Sequence, residues 1–189
     1  GILLLPLHHP VEIAEQITTL NSIADRTILG VAAGYRDAEF KGFGIPKAER
    51  GKRLEESVKI INQLLTRKNI TYNGEYYSLE EATINPRPEE KPPIWIGGDA
   101  PKAVERAARL GELWFVGPNS TFDTIKERKQ IYDEIRVDAG QSTEIAILRE
   151  AFVAPTTELA VERARDSLEY KYRNYLERGL GLSGITDDN

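Results

Sequence analysis

The chain has 189 residues, a formal net charge of −5, and 40% hydrophobic and 29% charged residues, which are ordinary values for a single globular domain. The mildly acidic balance argues against a nucleic-acid partner, which favours a basic surface. Because the sequence contains no cysteine, it forms no disulfide or thiolate metal site, and this fits a reducing cytoplasm. The apolar runs are too short to span a bilayer and no secretion signal is evident, so we expect a cytoplasmic protein without a membrane partner.

The first part of the chain alternates apolar runs with helical patterns. Residues 2–5 and 27–31 are short apolar runs, as expected for strands buried on both faces. Between them Pro10 can open a helix, which apolar residues at helical spacing continue to about residue 20. A polar loop over residues 32–50 then leads to an amphipathic helix, marked by Leu54, Val58, Ile61, Leu64 and Leu65.

The middle of the chain departs from this alternation. An Asn-Gly pair between aromatic residues, within residues 72–76, predicts a small hairpin. The prolines within residues 85–93 predict a stiff connection back to the core. We therefore expect a surface excursion over residues 68–93 within one domain that spans residues 1–189.

The rest of the chain returns to strands and helices. Strands are predicted over residues 94–96, 113–116 and 145–153, and helices over residues 101–110, 121–139 and 157–178. Short strands that alternate with helices imply a parallel sheet, and five strands fit either a doubly wound sheet or a barrel. An eight-unit barrel needs about 250 residues. A barrel would therefore be incomplete here, and we expect material to be missing at both ends of the chain.

Two loops that follow predicted strands have the composition of a ligand site, because parallel α/β folds bind ligands at the carboxyl ends of their strands. After the second strand, Ala32, Ala33 and Gly34 would let a planar ligand approach the backbone, and Tyr35 adds a hydroxyl. A tight turn with Tyr35 packed sideways would explain the same residues. After the third strand, a loop formed by Gly97, Gly98, Asp99 and Ala100 precedes a helix, and the N–H groups of this loop suit a phosphate. Asp99 is also an ordinary N-cap, and its carboxylate would repel an anion.

Three basic side chains are further candidates. His8 and His9 follow the first strand and are the only histidines of the sequence, so a metal site would need carboxylate partners that the sequence does not reveal, and we predict none. An acid–base or substrate-contact role remains for the pair. Arg53 opens the helix after the long loop and could bind a phosphate in bidentate fashion, although a solvated first turn also explains it. The absence of Gly-x-Ser-x-Gly and Walker-type motifs removes the usual support for a hydrolase or a kinase.

An ordered set of segments extends this pattern over roughly residues 3–117. They read Leu-Pro-Leu-His-His-Pro at residues 5–10, Ile-Leu-Gly-Val-Ala-Ala-Gly-Tyr at 28–35, Arg-Gly-Lys-Arg-Leu-Glu-Glu at 50–56, Tyr-Asn-Gly-Glu-Tyr-Tyr at 72–77, Pro-Pro-Ile-Trp-Ile-Gly-Gly at 92–98 and Ala-Ala-Arg-Leu-Gly-Glu-Leu-Trp-Phe at 107–115. In order and spacing they resemble the luciferase-like flavin-dependent oxidoreductase family, also called luciferase-like monooxygenases. Each segment alone is a weak signal, whereas the ordered set is specific.

The resemblance implies a TIM-type (β/α)₈ barrel, seen here in part as about five βα units, with a reduced flavin mononucleotide (FMN) or a deazaflavin coenzyme at its mouth. It places residues 32–35 beside the isoalloxazine ring and the ribityl chain, and residues 97–100 at the phosphate. Arg53 would be a counter-charge for the phosphate, and His8 and His9 would approach the substrate. The cofactor carries the chemistry in such enzymes, while the protein orients it and excludes water.

The activity that the resemblance implies is that of a monooxygenase, which uses reduced FMN and O₂ on a small organic substrate. We expect a homodimer, and a separate flavin reductase as a supplier of the reduced cofactor. Three alternatives remain at this point. The protein could be a deazaflavin-dependent hydride-transfer oxidoreductase of the same fold, a noncatalytic flavin-binding relative, or an unrelated α/β enzyme whose Gly-Gly loop binds another phosphate ligand.

Overall fold

The computed structural model describes residues 2–24 and 26–180, so the predicted domain over residues 1–189 extends beyond the described part. Its strands are β1 (Leu3–Leu4), β2 (Leu29–Ala32), β3 (Ile70–Asn73), β4 (Ser78–Ala82), β5 (Ile94–Gly97), β6 (Leu113–Val116) and β7 (Ile145–Ile147). Its α-helices are α1 (Pro10–Ile23), α2 (Asp37–Gly42), α3 (Arg50–Thr66), α4 (Pro101–Leu110), α5 (Phe122–Asp138) and α6 (Thr157–Glu177). Throughout residues 2–24 and 26–180, no helix is both long and apolar enough to cross a membrane.

Five of the strands form one parallel sheet in the spatial order β1-β2-β5-β6-β7. The strands β3 and β4 pair antiparallel as a hairpin that is inserted between α3 and β5. A doubly wound sheet reverses its strand order at a switch point. Here every new parallel strand is added on the same side, as in the wall of a barrel. The structure therefore selects the barrel from the two sheet architectures that the sequence left open, and the described residues form part of its wall.

The two faces of the sheet differ because alternate side chains of a strand point to opposite sides. One face packs against α1, α3, α4 and α5 and is buried, with Leu29, Val31, Ile94, Ile96, Trp114 and Val116 in the core. The opposite face carries Gly30, Ala32, Trp95, Gly97 and Phe115, which lie in adjacent register. In a barrel this second face is the inner one. The apolar core on the buried face therefore holds the strands of the sheet in place.

Two segments differ from their predicted structure. The last strand is predicted over residues 145–153, but β7 ends at Ile147, and residues 148–153 form no regular secondary structure and are exposed. β7 ends early because its neighbour β6 ends at Val116, after which Gly117-Pro118 turns away from the sheet. The hydrogen bond from Leu148 N to Val116 O is the last backbone bond between the two segments. The predicted loop over residues 32–50 contains α2 and a 3₁₀ turn.

Candidate functional site at the carboxyl edge of the sheet

The carboxyl ends of the five parallel strands share one edge of the sheet, and the loops that leave it gather nearly all of the predicted site residues. His8 and His9 follow the 3₁₀ turn after β1, residues 33–36 follow β2, and residues 98–100 follow β5. Arg53 is the exception in sequence position, because it lies in the first turn of α3. It contacts Tyr76 and Tyr77 of the β3–β4 hairpin, and Tyr77 in turn contacts His9.

Small residues line the inner face of the sheet next to this edge. Ala32 and Gly97 are direct register partners on β2 and β5. A Cβ atom on Gly97 would lie 3.1 Å from Ile2 Cδ1 and 3.7 Å from Ala32 Cβ. Gly34 has a φ of +80°, and a Cβ there would lie 3.3 Å from the ring of Phe40. Because glycine has no side chain, neighbouring groups approach the backbone closely at these two positions, and Ile2 and Phe40 do so in this structure.

The glycine loop, residues 97–100, leads directly into α4. Gly98 has a φ of +144°, and a Cβ there would lie 2.7 Å from Ala103 Cβ, so this bend requires glycine. The N-cap of α4 is Ala100, and its side chain makes no capping hydrogen bond. The interpretation of Asp99 as the N-cap is therefore wrong, because Pro101 occupies the first helical position and moves the cap to Ala100. Ala100 therefore supplies no side-chain acceptor to the N–H groups of the first turn.

The side chains around the glycine loop hold it against β6 and α5. Asn119 Nδ2 donates to Asp99 Oδ2 across 3.1 Å, and Arg128 Nε donates to the Asp99 carbonyl across 3.0 Å. Ser120 is 5% exposed, and its hydroxyl oxygen has no hydrogen-bond partner among the described residues. Arg149 donates to the carbonyls of Gly117 (3.1 Å) and Ser120 (2.9 Å).

These residues are not among those predicted from the sequence. Asn119, Ser120 and Arg149 follow β6 and β7, so their position after a strand is the sequence signal that marks them. Arg128 lies within α5, where nothing in the sequence separates it from a solvated helix residue.

The two histidines point in different directions. The His8 ring lies 6.1 Å from that of Phe43, and the His9 ring meets Tyr77 edge to face at 5.3 Å. His9 is the N-cap of α1, and its Nδ1 accepts the backbone N–H of Val11 across 3.3 Å. In the described part of the chain, no group of three or more histidine and carboxylate side chains is placed to hold a metal ion.

Arg53 lies on the histidine side of the edge. Its guanidinium donates to Glu49 Oε2 across 2.9 Å and stacks 4.4 Å above the ring centre of Tyr76. Burial opposes the charge, but the hydrogen bonds with Glu49 and Tyr77 outweigh it and raise the pKa of Arg53 above its usual value. The arginine that contacts the glycine loop itself is Arg128. The assignment of Arg53 as a phosphate counter-charge stays a prediction.

Tyr35 is oriented by its neighbour. Arg36 Nε donates to the Tyr35 hydroxyl across 3.2 Å, and the guanidinium also pairs with Glu39 at 3.4 Å. The hydrogen bond with Tyr35 is the main cause that raises the pKa of Arg36, ahead of the opposing effect of burial. This arrangement leaves a phenol and a permanent positive charge together directly after β2.

A parallel sheet to which each new strand is added on the same side, with small residues on its inner face and a glycine loop before the helix at its carboxyl edge, defines part of a (β/α)₈ barrel. The sequence model of the luciferase-like monooxygenase family matches residues 1–182, and the chain belongs to this family. The resemblance noted from the sequence is thereby confirmed. The family includes both FMN-dependent monooxygenases and F420-dependent oxidoreductases, F420 being a deazaflavin.

Relatives of both kinds are similar to this chain. It is 34% identical over 165 residues to an F420-dependent glucose-6-phosphate dehydrogenase of Microbacterium testaceum, a match that covers 84% of this chain and 49% of that protein. It is 27% identical to an FMNH(2)-dependent dimethylsulfone monooxygenase of Pseudomonas fluorescens, over 69% of this chain and 36% of that protein. The chain thus spans about half or less of the length of the curated relatives it matches.

A solved structure shares the fold. The monooxygenase RslO1 from Streptomyces bottropensis superposes with a TM-score of 0.86 over 94% of this chain and 56% of that chain. The sequence identity is 21%, so this likeness concerns the fold alone.

Proposed function

We propose that the protein is a flavin-dependent monooxygenase that binds reduced FMN at the carboxyl edge of the sheet and acts with O₂ on a small organic substrate. The observation that supports this most is the pairing of Ala32 with Gly97 immediately before the Gly98 bend. With the Ile2 side chain moved aside, this pairing would let a flat ring lie on the inner face, next to a helix N-terminus that suits a phosphate. Membership of the family supplies the class of cofactor.

The residues present fit such a cofactor. Residues 32–34 would line the ring system and the ribityl chain, with the Tyr35 hydroxyl at their side. The N–H groups of residues 97–100 would hold the phosphate, and the buried hydroxyl of Ser120, the residue after Asn119, is a further candidate donor. The carboxylate of Asp99 is the unfavourable element, but Asn119 engages it. Arg128 joins Arg53 as a candidate counter-charge.

The chain's own residues would bind, orient and shield the reactants. A bound reduced flavin supplies the electrons with which O₂ is activated. His8 and His9 are proposed to meet the substrate. Because Nδ1 of His9 accepts a hydrogen bond from Val11 N, the neutral ring carries its proton on Nε2 and can donate it to a substrate oxygen. The apolar core behind β2 and β5 limits the access of water from that side.

A second candidate is hydride transfer with a deazaflavin coenzyme at the same edge. It is favoured by the 34% identity to an F420-dependent dehydrogenase over 84% of this chain. The FMN route would also require a supplier of reduced flavin, for which we propose a separate flavin reductase. The lack of cysteine supports a cytoplasmic location, and the proposed homodimer is tested by the mass of the full-length protein in light scattering.

The test is an anaerobic fluorescence titration of the full-length protein with reduced FMN, oxidised FMN and F420. Micromolar binding of reduced FMN, followed by O₂-dependent turnover in a substrate screen, would support the monooxygenase. Binding of F420 alone would replace it with the hydride-transfer enzyme. Binding of FMN without turnover of any substrate would indicate a noncatalytic relative, and binding of neither cofactor would contradict the proposal.

A further inference from the structure

The β3–β4 hairpin belongs to the site although it lies outside the barrel sheet. Its turn, residues 74–77, is anchored to α3 by the carboxylate of Glu56, which is only 7% exposed. Glu56 Oε1 accepts the backbone N–H groups of Tyr76 (3.2 Å) and Tyr77 (2.9 Å). A Cβ atom on Gly74 would lie 1.7 Å from Glu56 Oε1, so the turn can close over the carboxylate only with glycine there. A buried charge that accepts backbone donors in this way is a strong local restraint.

The anchored turn brings Tyr77 against the histidines. The Tyr77 hydroxyl donates to the backbone carbonyl of His8 across 3.4 Å, and its ring stands perpendicular to that of His9 at 5.3 Å. The neighbouring Tyr76 faces elsewhere, since its ring lies under Arg53 and its hydroxyl lies 3.1 Å from Glu75. Of the two adjacent tyrosines of this turn, Tyr77 therefore contacts the histidine pair, whereas Tyr76 contacts Arg53 and Glu75.

The contact matters because the His9 ring has two chemically different nitrogens. With Nδ1 accepting from Val11 N, the neutral ring presents a proton on Nε2. Rotation of the ring by half a turn would end the cap and move both nitrogens to positions now held by ring carbons. The aromatic ring of Tyr77 packs on the imidazole and restricts this rotation.

We propose that Tyr77 is a positioning residue for the His8–His9 pair and that Glu56, through the turn, keeps Tyr77 in place. The contact of the pair with substrate rests on the proposed function, whereas the orientation of the His9 ring does not. The hairpin within residues 68–93, which the sequence predicts as a surface excursion, then helps to orient the histidines of the site from outside the barrel sheet.

The test records the ¹⁵N resonances of the His9 ring and the hydrogen exchange of the Val11 amide in the full-length protein. In the wild type we expect one protonated and one unprotonated ring nitrogen with well separated shifts, and a protected Val11 amide. Tyr77→Leu should narrow that separation and speed the exchange of the Val11 amide several-fold. Glu56→Ala should act in the same direction, because it removes the side-chain oxygens that accept from the turn. Tyr76→Leu is the matched control and should leave both signals unchanged.

Unchanged His9 nitrogen shifts and Val11 exchange in a folded Tyr77→Leu protein would overturn the proposal. If Tyr77→Leu does not fold, Tyr77→Phe keeps the ring and removes the bonds of the hydroxyl to the His8 carbonyl and to Arg53. It should shift the backbone amide resonance of His9, and an unshifted resonance would overturn the proposal. Altered His9 signals together with an unchanged kcat/KM would support the positioning role and contradict the proposed contact of the histidines with substrate.

Discussion

Trp114 donates its indole N–H to the carbonyl oxygen of Gly98 across 2.8 Å. Trp114 is 1% exposed and packs against Tyr132 in the core, with ring centres 5.9 Å apart. Gly98, in contrast, forms the sharp bend of the glycine loop. This hydrogen bond connects the buried face of the sheet to the loop that is proposed to hold the phosphate. The packing of Trp114 in the core therefore helps to set the position of that loop.

Replacing Trp114 by Phe should lower the free energy of unfolding by about 1–3 kcal/mol, because the Gly98 carbonyl loses its donor inside the protein. Urea denaturation of both proteins measures the difference. Trp95→Phe is the matched control, since Trp95 is half-buried on the inner face and stacks on Phe115 at 6.1 Å. A loss for Trp95→Phe as large as that for Trp114→Phe would contradict the importance of the hydrogen bond.

Gly98→Ala should weaken the binding of FMN much more than that of riboflavin, which has no phosphate. The new Cβ would lie 2.7 Å from Ala103 Cβ at a φ of +144°, so the loop must shift, with a strain of about 1–3 kcal/mol. Gly44→Ala is the control, because Gly44 also has a positive φ (+67°) but an added Cβ meets nothing within 4 Å. Dissociation constants from fluorescence titration decide the matter, and equal losses for the two ligands would refute the phosphate assignment.

The sequence predicted most of the barrel wall because the strong signals there are local. The prolines and the apolar spacing place α4 and β6 at residues 101–110 and 113–116, as the structure has them. The end of β7 depends instead on where its partner β6 turns away, which is a tertiary property. The N-cap of α4 could have been read from the sequence, since proline favours the first helical position and so places the cap at Ala100.

The candidate site was predicted in part for the same reason. Loops that directly follow strands can be found from the order of elements, and this gave the positions after β1, β2 and β5. The contacts of Glu56 with the hairpin turn join residues about twenty positions apart, on elements whose packing no local pattern describes. The contact of Tyr77 with His8 spans 69 positions. The sequence therefore predicted a hairpin without its role beside the site.

Arg136→Lys should destabilise the protein by about 2–4 kcal/mol, because buried carbonyls would lose charged donors. Arg136 is 5% exposed and donates to the carbonyls of Ser142 (2.7 Å), Gly111 (2.9 Å) and Glu112 (3.2 Å). It thereby fastens α5 to the turn between α4 and β6. Thermal or urea unfolding provides the measurement. The control is Arg109→Lys, at an exposed arginine 3.8 Å from Glu105, for which we expect almost no change. Similar losses at the two positions would contradict this account of Arg136.

Tyr172 should contribute to stability in a manner that depends on pH. Its hydroxyl lies 3.2 Å from the Pro118 carbonyl and 3.0 Å from Glu150 Oε2, which attaches α6 to the loop after β6. Burial, and next the hydrogen bond with Glu150, raise the pKa of Tyr172 from 10.0 to about 12. Because the folded-state pKa is the higher one, the contribution is complete below pH 10 and is lost as the pH rises through about 12.

The measurement compares the wild type with Tyr172→Phe in urea unfolding at increasing pH, together with the ultraviolet absorbance of tyrosinate. The difference in unfolding free energy should be constant below pH 10 and shrink toward pH 12, and the variant should lack one tyrosine from the late absorbance phase. Tyr170→Phe, at a 73% exposed position of the same helix, is the control. A stability difference that stays constant up to pH 12 would show that the Tyr172 proton is not what attaches α6, because only the protonated hydroxyl can donate to Glu150 or Pro118.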